Sequence, residues 1–419
     1  MSVVRMLQFA EQLGSEVLRL EQPADRVLAQ FFRRHRALGQ RDRAMLADTV
    51  YAILRRKTLL ETLAGDSADT LRRQVLLALP LPRDELLPVL SEAERAWLQA
   101  CDAQDVAALP DACRHNLPPW LADALCRQLG DEFEAAAQAL LAPAPLDLRV
   151  NLLRQKRSQA QASLLAQGVQ TAHTRWSPWG LRVAGKPGLK RLDLYRKGVI
   201  EVQDEGSQLL ALLVGARRNE VVADYCAGAG GKTLALGAAM RGSGRLYAMD
   251  VSAARLDVLR ARVGRSGLAN VYPMVLGAAP GPQLQRLYGK MDRVLVDAPC
   301  SGLGTLRRSP DLKWRQDAAA VAAFAAQQQD ILVQAARLLR PGGRLVYATC
   351  SLLEQENEAV AAAFDAAHAD FEPRPVATLL AELKVADAAS LCGAGGAYLR
   401  LWPHRHGTDG FFAAAWQRR

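Results

Sequence analysis

Apolar positions in the first hundred or so residues recur at the three- and four-residue spacing of helices, as over 48–63, with no strand-like alternation between them. An all-helical segment over 1–115 is expected. The pattern changes at Leu117-Pro118-Pro119-Trp120, after which short β-like pieces at 147–151, 181–183 and 198–202 surround a helical stretch at 156–167. These describe a small α+β module over 116–202. From 203 onward, apolar runs at 220–225, 245–250, 271–276, 293–298 and 343–349 end in Gly, Asp or Pro, and helical stretches follow them. Such alternation predicts an α/β domain over 203–419 built on a doubly wound, mostly parallel sheet. Two last β-like runs, 398–402 and 410–416, have no helix between them and predict an antiparallel hairpin at the sheet edge.

Composition narrows the class. Half of the 419 residues are hydrophobic and 23% are charged, the balance of a chain that buries cores rather than of a disordered one. Lys and Arg number 53 against 43 Asp and Glu, a net charge of +10, which favours a polyanionic partner. The excess is concentrated in the helical segment at Arg33, Arg34, Arg36, Arg41, Arg43, Arg55, Arg56 and Lys57. It recurs in the middle module at Arg154, Lys156, Arg157, Lys186, Lys190, Arg191, Arg196 and Lys197. Such clusters read either as solvated helix faces or as a groove for a phosphate backbone. The seven cysteines (101, 113, 126, 226, 300, 350 and 392) include no Cys-x-x-Cys pair, so reduced thiols are expected, without disulfides or a metal site. No apolar run reaches the roughly 18 residues of a membrane span, and no leader-like segment opens the chain, so a soluble, cytoplasmic monomer is expected.

Two turns of the α/β domain have the chemistry of a cofactor site. The first strand, ending at Asp224, empties into Tyr225-Cys226-Ala227-Gly228-Ala229-Gly230-Gly231-Lys232-Thr233 and then a helix. Small residues there let the backbone approach a ligand, and a helix start offers free N–H groups. The second strand ends in Asp250, about 20 residues on, where a carboxylate can accept both hydroxyls of a ribose. Dinucleotide dehydrogenases share these two features, so at this point the ligand is an adenosine-type cofactor of either class.

Two further turns separate the classes. Strand 293–297 leads into Asp297-Ala298-Pro299-Cys300-Ser301-Gly302, and strand 344–349 leads into Thr349-Cys350-Ser351. In a doubly wound sheet both turns open onto the same crevice as the glycine turn, which would bring two thiols and a carboxylate together. A lone cysteine at a strand end is ordinarily an inert core residue; two at neighbouring ends, beside an acid, point to nucleophilic chemistry.

With these residues in place, the chain resembles the RsmB/Nop/Sun family of S-adenosylmethionine-dependent RNA cytosine-C5 methyltransferases. The matching motifs run in order over roughly 117–419: Val202-Gln203-Asp204-Glu205, Gly230-Gly231-Lys232-Thr233, the Asp-Ala-Pro-Cys-Ser-Gly turn, Ala348-Thr349-Cys350-Ser351, and Gly407-Thr408-Asp409-Gly410-Phe411-Phe412. The resemblance implies a class I Rossmann-like methyltransferase fold. It implies that Cys350 is the nucleophile, that Cys300 assists product release, that Asp297 touches the cytosine, and that Lys232 supports both ligands. S-adenosyl-L-methionine would lie against Cys226, Ala227, Gly228, Ala229, Gly230, Gly231, Lys232, Asp250, Arg255 and Asp297. DNA cytosine methyltransferases use the Pro-Cys thiol and lack the Thr-Cys one, so possession of both favours RNA. The stretch 38–55 resembles the NusB-like helical RNA-binding domain of bacterial members, which implies small-subunit ribosomal RNA as substrate.

The chain departs from the family at two places. The first turn reads Cys-Ala-Gly-Ala-Gly-Gly-Lys where Cys-Ala-Ala-Pro-Gly-Gly-Lys is usual, and small residues are kept. The third strand ends in Leu276-Gly277-Ala278-Ala279, where most relatives place an aspartate for the adenine amino group. Two other readings remain at this stage: methylation of DNA or protein, and a non-catalytic RNA-binding assembly factor that keeps the fold.

Overall fold

The computed structural model describes residues 1–185 and 187–419; Lys186, one of the basic residues of the middle cluster, lies outside the described residues. The chain folds as two compact units, Met1–Pro143 with Thr305–Ala318, and Ala144–Gly304 with Ala319–Arg419.

The first unit is all helical, and each helix follows from its apolar stripe. In Val3–Val17 the residues Met6, Leu7, Ala10, Leu13, Gly14 and Val17 fall on one face and are buried, while Ser2 accepts the Arg5 N–H at the helix start. They pack with Phe31, Leu46, Ile53, Leu54, Val75 and Leu76 from the helices that follow. The unit runs beyond the expected boundary at 115 to take in helices Pro119–Leu129 and Phe133–Leu141. It also takes in a distant stretch, 305–318, which sequence pattern gave no reason to place there. That stretch caps two helices. Asp311 accepts the backbone N–H of Ala24 (3.3 Å), where the Pro23 cap has no side-chain acceptor of its own. Lys313 Nζ donates to the Arg55 carbonyl (2.8 Å) and Trp314 Nε1 to that of Leu54 (2.7 Å), two acceptors left over at the end of helix Gln40–Arg55.

Lys313 carries a pH dependence. Burial, with Arg55 beside it, pushes its ammonium down from 10.5 to about 7. Between about pH 7 and 10 the unfolded chain therefore holds a proton that the folded chain has released, so stability rises with pH through that window and levels off below it. Chemical denaturation should show wild type gaining on Lys313→Met as pH is raised from 7 to 10, by up to about 1.4 kcal/mol per pH unit. A constant difference between the two proteins would contradict this.

The second unit contains two sheets. The smaller consists of β1 (Leu146–Val150), β2 (Thr171–His173), β3 (Gly180–Val183) and β4 (Ile200–Val202), in the order β2-β3-β1-β4, with its registered pairs antiparallel and helix Arg157–Ala166 between β1 and β2. β2 is too short and too exposed to show a period in the sequence. The larger sheet contains β5 (Val221–Asp224), β6 (Arg245–Asp250), β7 (Val271–Val275), β8 (Met291–Asp297), β9 (Leu339–Thr349), β10 (Phe371–Pro373), β11 (Leu399–Leu401) and β12 (Phe411–Arg418). Their order is β10-β12-β9-β8-β5-β6-β7, with β11 paired to β12. β5 to β9 are mutually parallel; β12 runs antiparallel to β9.

Alternation along these strands supplies the two cores, as a sheet covered on both faces requires. Val222, Leu295, Val346, Ala413 and Ala415 face one; Ala223, Val294, Val296, Leu345, Tyr347, Phe412 and Trp416 face the other. The C-terminal hairpin forms, with β11 and β12 antiparallel, but it differs from expectation in two respects. A short helix, Pro403–His406, lies between its strands, and β12 sits inside the sheet because β10 covers its far side. The three residues of β10 were too few to register as a run.

The small sheet is built onto the larger one rather than strung beside it. Glu201 on β4 pairs with Arg262 (2.8 Å) and Arg265 (2.6 Å) of helix Ala253–Ser266, and Asn151 donates to the Ser266 carbonyl (3.0 Å). Glu205 Oε1, at the start of helix Glu205–Val214, accepts the N–H groups of Trp176 (2.6 Å) and Ser177 (2.9 Å).

Candidate active site

The carboxyl ends of β5, β6, β8 and β9 open onto one crevice of about 620 Å³, lined among others by Gln203, Cys226, Gly228, Lys232, Asp250, Asp297, Cys300 and Cys350. That volume falls within the usual range for small-molecule sites, roughly 300–1,000 Å³. Tyr225 N–H donates to Leu295 on β8 and Ala227 N–H to Met249 on β6, so the glycine turn is stitched to the strands on both sides (2.8 Å each). Gly230 has φ of +86°, and a Cβ there would press to within 2.7 Å of Leu259; only glycine lets the turn pass under that helix. At Gly228 a Cβ would meet nothing within 4 Å, which leaves the space above the turn open to a ligand. Asp250 is fixed by two backbone donors, Gly228 (2.8 Å) and Ser252 (2.8 Å), and keeps lone pairs for further hydroxyls.

Beneath this turn Asp224 is buried. Thr233 donates to its Oδ2 (2.6 Å), while Oδ1 has no hydrogen-bond partner among the described residues. Burial pushes its carboxyl up to about 7, against the pull of Thr233. Cys226, though in the crevice, is an unreactive thiol, because burial and then Asp224, Asp297 and Asp250 raise its pKa.

The thiols occupy the other end. Asp297 and Ala348 are register partners on β8 and β9, which places the two following turns side by side. Cys300 Sγ and Cys350 Sγ stand 3.4 Å apart. Lys232 Nζ donates to Asp297 Oδ2 (2.7 Å). Burial opposes the Lys232 charge, but Asp297, the Cys350 sulfur and Asp224 outweigh it and hold the ammonium protonated. The Cys300 thiol is pushed well up by its hydrogen bond to Cys350, then by burial and by the negative charge of Cys350 and Glu356. Of the pair, Cys300 is therefore the thiol that keeps its proton and Cys350 the sulfur that faces a cation.

Backbone proximity fixes these turns from behind. Gly304 N–H donates to the Cys350 carbonyl (2.8 Å), and Gly410 N–H donates to the Gly304 carbonyl (2.8 Å). A Cβ on Gly304 would come within 2.1 Å of the Gly410 oxygen, so the C-terminal Gly-Phe-Phe segment closes against the cysteine turns only because both positions are glycine. Phe411 then places its ring 5.9 Å from Lys232 Nζ.

Every residue expected at the site on sequence grounds borders this crevice except Gly230, which supports the turn from below. Sequence reading passed over Arg262, which donates to the Ala229 carbonyl (2.8 Å), and placed Gln203 in a motif without a role at the site, where it accepts from the buried Arg149 (2.6 Å). Where the adenine-contacting aspartate is missing, the wall is Leu276 and Val251 with Arg255.

A seven-stranded path with an antiparallel β12, a glycine turn after the first parallel strand and a carboxylate after the second defines an S-adenosylmethionine-dependent methyltransferase. The model for "16S rRNA methyltransferase RsmB/F" matches residues 211–417, and that for the RsmF/B-like ferredoxin-like domain matches 117–188. The chain belongs to the RsmB/F methyltransferase family. It is similar to the probable ribosomal RNA small subunit methyltransferase B of Synechocystis sp., 33% identical over 328 residues that cover 78% of this chain and 72% of that one. Among solved structures, PH0851 superposes with a TM-score of 0.79 at 25% identity, over 99% of this chain and 98% of that one. NSun6 from Pyrococcus horikoshii with SFG superposes with a TM-score of 0.63 at 21% identity, over 72% of this chain and 98% of that one, and shares the fold.

Proposed function

We propose that this methyltransferase modifies carbon 5 of cytosine in RNA, small-subunit ribosomal RNA in particular, through a covalent bond between Cys350 and carbon 6 of the base. The observation that carries the reading is the pair of thiols 3.4 Å apart, next to the Lys232–Asp297 ion pair and in the same crevice as the cofactor turn. Relatives named for small-subunit ribosomal RNA support the substrate class.

Carbon 5 of cytosine is too weak a nucleophile to take a methyl group unaided. Addition of the Cys350 thiolate to carbon 6 converts the ring into an enamine and makes carbon 5 nucleophilic. S-adenosylmethionine supplies the sulfonium methyl that carbon 5 accepts. The residues that would hold it are those of the 226–232 turn, with Asp250 for the ribose and Arg255 at the apolar wall. Asp297 touches the base, and the Lys232 ammonium that it holds in place offsets the negative charge that develops on the ring as the thiolate adds. Cys300 then relays a proton: it accepts the carbon 5 proton as it passes its own to the departing Cys350 sulfur 3.4 Å away, and the bond to Cys350 breaks as the aromatic ring re-forms.

In this reading the helical segment and the small sheet hold the RNA, with Arg33, Arg36, Arg41 and Arg56 exposed for phosphate contact. Other members of the basic clusters are engaged within the protein. Arg43 donates to the Leu38 carbonyl (2.8 Å), Lys57 pairs with Glu61 (2.6 Å), and Arg157 donates to the Ser177 carbonyl (3.0 Å). Bisulfite sequencing of total RNA from a deletion strain should show one or a few cytosines, in small-subunit ribosomal RNA, that lose protection and regain it on complementation. Retention of every protected site would reject the reading.

A further inference from the structure

No covalent link joins the turn that carries Cys300 to the turn that carries Cys350, yet their chemistry depends on a fixed separation. Each cysteine is followed by a serine, and Ser301 and Ser351 are both fully buried, with hydroxyl oxygens 3.3 Å apart. Both hydroxyls donate to the same acceptor, Oε2 of Glu356, the Ser301 bond at 2.5 Å. The other oxygen, Oε1, accepts the Ser301 N–H (2.8 Å) and Gln328 Nε2 (3.1 Å). Gln328 also donates to the carbonyl of Pro299, the residue before Cys300 (2.9 Å), and accepts from Tyr347 (2.9 Å), whose hydroxyl reaches the Glu356 carbonyl as well (2.5 Å).

Glu356 is fully buried, and the donors that meet it are neutral. A carboxylate in such a place is costly unless its lone pairs are filled, and here they are filled by the residues flanking the two cysteines. An apolar side chain of the same size would fill the space without that cost, so the carboxylate calls for a reason other than packing.

We propose that Glu356 is a positioning residue for the two thiols: through Ser301 and Ser351 it ties the turn of Cys300 to the turn of Cys350 and fixes their spacing. Its charge has a direction as well. The Glu356 charge adds to the hydrogen bond from Cys350 and to burial in keeping the proton on Cys300, while the Cys350 sulfur is among the groups that keep Lys232 protonated. The assignment rests on the reading of these cysteines as the working thiols.

The test is residue-resolved alkylation of the resting full-length enzyme with iodoacetamide across pH 6–9, read by peptide mass spectrometry. Wild type should be modified at Cys350 ahead of Cys300. Glu356→Gln keeps the size and removes the charge, and the preference should fall by about tenfold as Cys300 becomes more acidic, with sinefungin affinity unchanged. A folded Glu356→Gln protein with wild-type preference and pH profile overturns the assignment. Should that variant fail to fold, the Ser301→Ala/Ser351→Ala double variant, which cuts both ties and keeps the carboxylate, decides: the preference falls in the same direction, or the assignment is wrong. Normal methylation by Cys350→Ala would remove the reading of the thiols while leaving the alkylation ratio a valid measure of what Glu356 does.

Discussion

Cys350→Ala protein should lose methyl transfer by on the order of 10⁴–10⁶, the scale seen when a covalent enzyme loses its nucleophile, while it folds and binds cofactor as wild type does. The expectation follows from the crevice as built. Of the three cysteines that border it, Cys226 is held protonated by burial and three carboxylates, and Cys300 by its partner sulfur and by burial. The Cys350 sulfur bears on the ammonium of Lys232, and on the proposed mechanism it is the group that adds to carbon 6. The side chain is small and half-buried, touching the core from the edge of the crevice, so its truncation to alanine costs little in stability. Single-turnover methyl transfer and isothermal titration with sinefungin measure the two halves of the prediction. Activity within a few-fold of wild type would sink the nucleophile assignment. Loss of cofactor binding together with activity would show instead that Cys350 supports the cofactor end of the crevice.

What the sequence made legible was whatever a short contiguous pattern encodes. The parallel strands β5, β6, β8 and β9 are largely buried and stand out as apolar runs, and their ends carry Asp224, Asp250, Asp297 and Thr349 directly before the residues of the site. Proximity of the cysteines followed because parallel neighbours must end at the same edge, and the Asp297–Ala348 register is the structural form of that rule. Three kinds of feature were not legible. Strands of three residues, β2 and β10, are shorter than one period of alternation plus a flank. The segment 305–318 has an ordinary polar composition; its place in the helical unit depends on Asp311, Lys313 and Trp314 meeting helix ends 258 to 287 residues away, which no local pattern records. Glu356 follows Cys350 by six residues in a stretch with two other acids, 354–358, and nothing in the sequence distinguishes the buried carboxylate from its exposed neighbour Glu354. A motif shows where chemistry happens, but the residues that hold the motif's parts at their working distance are found only when the turns are seen together.

Cys300→Ala should fail in a different way from Cys350→Ala. Without Cys350 no bond to RNA can form. Without Cys300 the Cys350 thiolate still adds to carbon 6 and the methyl group is still accepted at carbon 5, because the cation beside Cys350 and the Asp297 carboxylate are untouched. The carbon 5 proton then has no nearby acceptor, since the sulfur that stood 3.4 Å from Cys350 is gone, and elimination stalls with the base still attached. The variant should therefore accumulate as a protein–RNA species that survives denaturing gels, and its expression should slow growth by sequestering its RNA. The double variant Cys300→Ala/Cys350→Ala should give no such species, because trapping requires the attack that precedes it. Incubation of the three proteins with cofactor and total RNA, followed by denaturing electrophoresis and nuclease treatment of any shifted band, reads all outcomes in one experiment. A shifted band with Cys350→Ala and none with Cys300→Ala would mean that the Pro-Cys thiol attacks and the Thr-Cys thiol releases, the order used by DNA cytosine methyltransferases. The charges around the pair argue for the opposite order: Cys350 and Glu356 keep the proton on Cys300, and the Cys350 sulfur is the one that bears on the Lys232 ammonium.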